Sequence, residues 1–188
     1  MEYKIFRFII QAIFLVTIFL GPIYYMIVFF ENLIPYYSSP WGLSSADVST
    51  MTALGFLFFC VFFILSGWLI DKYTNIWSVI ALAAISGFDL IMLAISVEFW
   101  FYFLFILING AIIGLAVPTV LTYLFTNLPT FLKNYYLPLI MVLILTAWSI
   151  FGYYLLMYLT DWRTAFVITG FLNIVSADVL VFIAFISK

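Results

Sequence analysis

Six long apolar stretches, separated by short polar segments, constrain this chain more than any other feature of its sequence. A helix needs about 20 mostly apolar residues to cross the hydrocarbon core of a bilayer. We therefore predict an all-α integral membrane protein, with six transmembrane helices in one domain that covers residues 1–188. The predicted spans are roughly Phe6–Phe30, Thr50–Leu69, Ile76–Val97, Phe99–Phe125, Tyr135–Leu159 and Thr164–Ile186.

The composition excludes most soluble functions. Hydrophobic residues make up 68% of the chain and charged residues 7%, whereas soluble domains average about 45–50% and about 25%. The chain has one cysteine, Cys60, and no histidine, so we expect no metal site built on those ligands. Its net charge of −2 comes without a basic run, so nucleic acid is not an expected partner. No nucleotide loop or catalytic triad is present, and we predict neither an enzyme nor a cofactor.

Basic residues set the predicted orientation. With the N-terminus in the cytoplasm, the inner segments carry five basic residues and the outer segments carry one, Arg163. Because cytoplasmic loops of membrane proteins are enriched in Lys and Arg, we expect a multi-pass protein of the cell (plasma) membrane with both termini in the cytoplasm. The inner basic residues are Lys4, Arg7, Lys72, Lys133 and Lys188.

Three motifs resemble the major facilitator superfamily. The family's loop signature after the second helix, G-x-L-x-D-[RK]-x-G-[RK], has four of its residues in register here. The segment Asn109–Pro118 is similar to the glycine-rich fourth helix, and Asp161–Phe166 to the W-R-x-x-F start of the sixth. The resemblance implies a major-facilitator-like half built of two inverted three-helix units. The four signature residues are Gly67, Leu69, Asp71 and Lys72.

The same resemblance implies a function. Family members have two six-helix halves and this chain has one, so we expect a half-size secondary transporter that acts as a parallel homodimer by alternating access. Its solute would be small and neutral or weakly acidic, because no Lys or Arg falls at mid-membrane. The gating residue would be Asp71, capping the fifth helix of the second copy near Tyr135. The alternative is a solvated turn acid paired with Lys72.

Two acids, Asp89 and Asp178, fall near the middle of the third and sixth predicted spans. An ionised carboxylate there costs about 2.5–3.5 kcal/mol on insertion scales. No basic residue falls at that depth, and burial favours the protonated form, so both are candidates for proton coupling. The alternative is a neutral acid hydrogen-bonded to a neighbouring helix, which the resemblance favours because it places the third and sixth helices at the periphery.

Polar residues on the first and fourth spans are candidates for lining a solute cavity, because the resemblance places those helices along the transport path. The alternative is that their side chains hold membrane helices together, as Tyr and Thr commonly do. The candidates are Tyr24, Tyr25, Asn109, Thr119, Thr122 and Tyr123.

A second function from a different class fits the same sequence. The chain could be a non-catalytic structural or accessory subunit, whose helices supply packing within a larger membrane protein complex. It could also be one half of a carrier whose other half is encoded separately. The expected partners are therefore the lipid bilayer, a second copy or a larger complex, and a small solute if transport occurs.

Overall fold

The computed structural model describes residues 9–10, 41–73, 75–127 and 162–186, with isolated positions between 134 and 151. Within these ranges it contains four long helices: α1 (Ser45–Tyr73), α2 (Ile76–Ile95), α3 (Phe99–Asn127) and α4 (Trp162–Ile186). Each is long and apolar enough to cross a membrane. The predicted second, third, fourth and sixth spans are thus confirmed as apolar helices. The predicted first and fifth spans fall largely outside the described residues.

Polar caps fix where two of these helices begin. The Ser44 hydroxyl donates to Asp47 Oδ2 at 2.7 Å, and the Asp47 backbone N–H donates back to Ser44 Oγ at 3.2 Å. This reciprocal cap starts α1 at Ser45, ahead of the apolar stretch predicted from Thr50. At α2, Asn75 Oδ1 accepts the Ser78 backbone N–H at 2.9 Å. Both side chains satisfy backbone donors that a helix start leaves free.

The helices pack in a fixed order, with α1 against α3, α3 against α2, and α2 against α4. Trp77, near the start of α2, contacts Phe185, near the end of α4, with ring centroids 5.7 Å apart. The end of α2 shares a buried cluster with the start of α4, including Leu90, Leu93 and Phe166. These two contacts show that α2 and α4 are antiparallel.

One end of the bundle is closed by Trp41. Its indole Nε1 donates to the Val97 carbonyl at 3.1 Å, and its ring lies 5.0 Å from that of Tyr102 and 6.2 Å from that of Phe99. The starts of α1, α3 and α4 and the end of α2 meet here, so we call it the Trp41 end. The opposite end, where Trp77 contacts Phe185, is the Trp77 end.

Glycines let two pairs of helices approach backbone to backbone. A Cβ atom on Gly87 would lie 2.6 Å from the Gly170 carbonyl oxygen, and a Cβ on Gly170 would lie 2.6 Å from that of Gly87. On α3, a Cβ on Gly114 would lie 2.5 Å from the Phe59 carbonyl oxygen of α1, and one on Gly110 would meet that of Gly55. Membrane helices use small residues in this way because close approach maximises van der Waals contact.

The glycine contact between α2 and α4 sits in a short internal repeat. Residues Ile85–Ala94 and Ile168–Ala177 share the pattern I-[ST]-G-F-x-x-I-x-x-A, and each strip supplies one glycine to the crossing. Gly87 also faces Ile174, while Gly170 faces the equivalent Ile91. The contact is therefore nearly symmetric between the two helices.

The outside of the bundle is apolar, as a surface in contact with lipid should be. Large hydrophobic side chains such as Ile64, Trp68, Trp100 and Phe182 are exposed by 66–77%. Tryptophans lie near both ends of the helices, at Trp68 and Trp77 on one side and Trp100 on the other. Tryptophan is enriched where membrane helices meet the headgroups.

Candidate functional site

The most unusual group inside the bundle is the carboxyl of Asp89 on α2. Its side chain is buried, with 2% of its surface exposed, and so is that of Asn109 on α3. The Asn109 amide Nδ2 donates to Asp89 Oδ2 at 2.7 Å. The acid is therefore hydrogen-bonded to a neighbouring helix, and Asn109, expected along the transport path, lies in the α2–α3 contact.

Three buried oxygens around α2 have no hydrogen-bond partner among the described residues. They are Oδ1 of Asp89, Oδ1 of Asn109 and Oδ1 of Asn173 on α4. Asn173 also donates from Nδ2 to Ser86 Oγ, at 3.5 Å. A buried polar atom without a partner costs about 1–3 kcal/mol. Buried polar side chains therefore lie on both sides of α2, at its contact with α3 and at its contact with α4.

The second acid, Asp178, is in a different environment. Its side chain is exposed on α4, within a strip that also holds Phe171, Val175, Phe182 and Phe185. Asp89 lies two residues beyond Gly87, and Asp178 lies eight beyond Gly170 on the antiparallel helix. At about 1.5 Å per residue, the acids are about 15 Å apart along the bundle. The structure does not bring them together, and only Asp89 is buried.

The other cavity candidates are spread over different environments. Thr119 is buried, and its hydroxyl donates to the Leu115 carbonyl at 2.7 Å. Thr122 and Tyr123 are half-buried in the last turns of α3. Tyr24 and Tyr25 lie outside the described residues.

A cavity of about 190 Å³ lies between α1, α2 and α3 near the Trp77 end. Its two hydroxyl-bearing residues already make local bonds, Ser78 to Asn75 at 3.1 Å and Thr119 to Leu115. The rest of the lining is aliphatic, so the cavity suits apolar contents better than a polar solute. It is lined by Leu69, Ile70, Ser78, Leu82, Leu115 and Thr119.

The signature motif lies beside this cavity. Leu69 lines it, and Asp71 and Lys72 belong to the last turn of α1, although their side chains are outside the described part. A Cβ atom on Gly67 would have nothing within 4 Å. Packing within the described bundle therefore does not require glycine at that position.

In comparisons with known proteins, the chain matches no protein-family model and no curated protein. Among the described residues, no three Asp, Glu or Cys side chains come together in a way that could hold a metal ion.

Sequence reasoning missed two features of this site. It did not predict the hydrogen bond between Asn109 and Asp89, and it did not single out Ser86 or Asn173. The I-[ST]-G-F repeat was the available signal for the second pair, because it marks the two helix faces that meet. Nothing comparable in the sequence links Asp89 to Asn109.

Proposed function

We propose that this protein is a six-helix unit of a secondary transporter, in which two parallel copies move a small neutral or weakly acidic solute by alternating access. The observation that carries the proposal is the buried pair Asp89–Asn109. Ionisable residues within membrane helices are expensive and usually serve transport or proton relays.

The packing of the helices supports the same proposal. The pairs α1–α3 and α2–α4 are each joined at glycine contacts, which suits a copy that moves as one rigid unit against the second copy. The helices α2 and α4 correspond to the third and sixth predicted spans. Their mutual contact fits the peripheral placement that the resemblance to the major facilitator superfamily implies. In this proposal Asp71 closes the cytoplasmic side, and Asp89 carries the coupled proton.

Uptake into proteoliposomes tests the proposal. Purified protein in sealed vesicles is exposed to an isotope-labelled mixture of sugars, polyols, amino acids and short carboxylic acids, and the lumen is analysed by mass spectrometry. We expect at least one solute to accumulate above protein-free vesicles, and Asp89→Asn to remove its dependence on a pH gradient. The matched control Asp178→Asn should leave that dependence unchanged. Equal contents in vesicles with and without protein would contradict transport.

One observation favours the second candidate, an accessory subunit of a larger complex. Asp178 lies exposed among apolar side chains on α4, and a polar partner helix would relieve the cost of a carboxyl facing lipid. Native mass spectrometry of gently extracted protein separates the candidates. Two copies of the 21.7 kDa chain and nothing else would support the transporter. Stoichiometric larger subunits, released by Asp178→Leu, would support the accessory role.

A further inference from the structure

Two of the unpartnered oxygens belong to side chains that already touch. Asn109 Nδ2 donates to one oxygen of Asp89 at 2.7 Å, while the other oxygen of Asp89 and the amide oxygen of Asn109 lack partners among the described residues. Both are acceptors, and a single hydrogen between them would satisfy both. We infer that Asp89 and Asn109 form a proton-binding site, in which a neutral carboxylic acid and an amide pair through two hydrogen bonds.

Forming the second hydrogen bond between Asp89 and Asn109 requires one proton on the carboxylate and no other chemical change. A protonated carboxyl has one O–H donor, and an amide has one acceptor oxygen beside its N–H donors. With the proton on Oδ1, Asp89 donates to Asn109 Oδ1 while Asn109 donates to Asp89 Oδ2, which closes an eight-membered ring. The terminal torsions of Asp and Asn are broad, so rotation about them can bring the two planar groups towards a common plane. Water supplies the proton, and no covalent bond other than O–H forms or breaks.

Among the described helices, no basic group pairs with Asp89, whose hydrogen bond comes from the amide of Asn109. Helix α3 has no Asp, Glu, Lys or Arg. On α4, Arg163 lies about 7 Å along the axis from the level of Asp89, and Asp178 about 15 Å in the other direction. On α1 the acid Asp47 is in the first turn, and Asp71 and Lys72 are in the last. Tyr102 of α3 and Cys60 of α1 carry no positive charge.

The proton changes how α2 and α3 are held together. With it, the pair contributes two hydrogen bonds across the contact and no net charge. Without it, one of those bonds is lost and a carboxylate remains in the membrane interior. The α2–α3 contact should therefore loosen when the proton leaves. This inference concerns the resting protein and does not depend on transport.

Infrared spectroscopy of the protein in lipid tests the proton directly. At pH 7 we expect a carbonyl band of a neutral carboxylic acid that shifts in D2O. The band should disappear in Asp89→Asn and persist in Asp178→Asn, which controls for the second acid. A difference spectrum between wild type and Asp89→Asn that contains only carboxylate bands would overturn the inference.

A swap of the two residues tests the pairing. The double variant Asp89→Asn/Asn109→Asp restores an acid opposite an amide, so it should regain the infrared band and melt near the wild-type temperature. Asn109→Leu leaves the acid without its amide and should lower the melting temperature by about 5 °C. If the swap variant melted at the lower temperature of Asn109→Leu, or lacked the infrared band, no such pair would form. Absence of solute uptake would leave these results unchanged, so the two proposals fail separately.

Discussion

The side chain of Trp41 joins several segments at one end of the helix bundle. Its hydrogen bond to Val97 ties the segment before α1 to the turn between α2 and α3, and its ring packs on Phe99 and Tyr102. An indole suits this position because its body is apolar and its N–H needs a partner. The turn is thus fixed from outside, by a residue more than 50 positions earlier in the chain.

Two substitutions separate the contributions of this residue. Trp41→Phe keeps most of the ring contact but loses the hydrogen bond, so we expect a loss of about 1 kcal/mol in unfolding free energy. Trp41→Ala loses both and should cost more than Trp41→Phe, because the contacts of the half-buried ring are lost as well. Denaturant unfolding in micelles measures both. If both variants were as stable as the wild type, Trp41 would not hold the turn.

At the residue scale, the sequence predicted how deep a side chain lies in the membrane better than it predicted which neighbour that side chain faces. The positions of Asp89 and Asp178 within their spans showed that each would be costly in a membrane. Charges and span lengths do not say which way a helix is rotated. One acid therefore faces a buried amide and the other lies on the surface, although both occur in long apolar stretches. The same limit hid Asn109 as the partner of Asp89.

At the scale of the helix, the glycine crossing between α2 and α4 permits a matched comparison. The atoms that a Cβ on Gly87 or Gly170 would meet include backbone carbonyls, which cannot move without separating the helices. We expect either change to alanine to lower the melting temperature by several degrees. Gly67→Ala has open space and a gain in helix propensity of about 1 kcal/mol, so it should melt at or above the wild-type temperature. The reverse order would contradict the crossing.

Gly67→Ala also tests the signature motif. Because the substitution should not destabilise the described bundle, a loss of uptake in this variant would point to a requirement for glycine in the signature motif at the end of α1. Uptake equal to the wild type would remove Gly67 from the proposed gating residues. The uptake assay and the melting curve are measured on the same preparation.

The sequence predicts a helix boundary well where the helix begins or ends with its apolar stretch. It predicts the boundary less well where a polar cap extends the helix beyond that stretch. The start of α2 agrees with the prediction at Ile76, because Asn75 caps it directly. The start of α1 at Ser45 includes a polar first turn that hydropathy alone does not assign to the helix. Helix α3 continues through Pro118, where the proline removes a hydrogen bond to the carbonyl of Gly114.

For the whole molecule, the arrangement of helix ends agrees with the predicted topology. The starts of α1, α3 and α4 share the Trp41 end, so the end of α3 and the start of α4 lie at opposite ends of the bundle. A further span between them, predicted at Tyr135–Leu159, requires this arrangement. The four spans that the structure describes were open to prediction because each is long and apolar. The order in which the helices pack was not open to prediction, since it depends on which glycines meet across the bundle.

Cysteine labelling tests the orientation of the whole molecule. In a Cys60→Ala background, Ser44→Cys places an exposed thiol at the Trp41 end and Asn75→Cys places one at the Trp77 end. The excess of basic residues on the inner segments predicts that the Trp41 end faces outward. A membrane-impermeant maleimide added to intact cells should label Ser44→Cys, and should label Asn75→Cys only after permeabilisation. The opposite pattern would invert the topology.

The contact between α2 and α4 also has a consequence for biosynthesis. Ser86 meets Asn173, a residue 87 positions later in the chain, so the ribosome must add all of those residues before the contact can form. At about 5–20 residues per second, the wait is roughly 4–17 s. During that time the face of α2 that carries Ser86 and Gly87 lacks its partner helix in the bilayer. A chain stalled before α4 would keep this face uncovered, where membrane chaperones and proteases could recognise it.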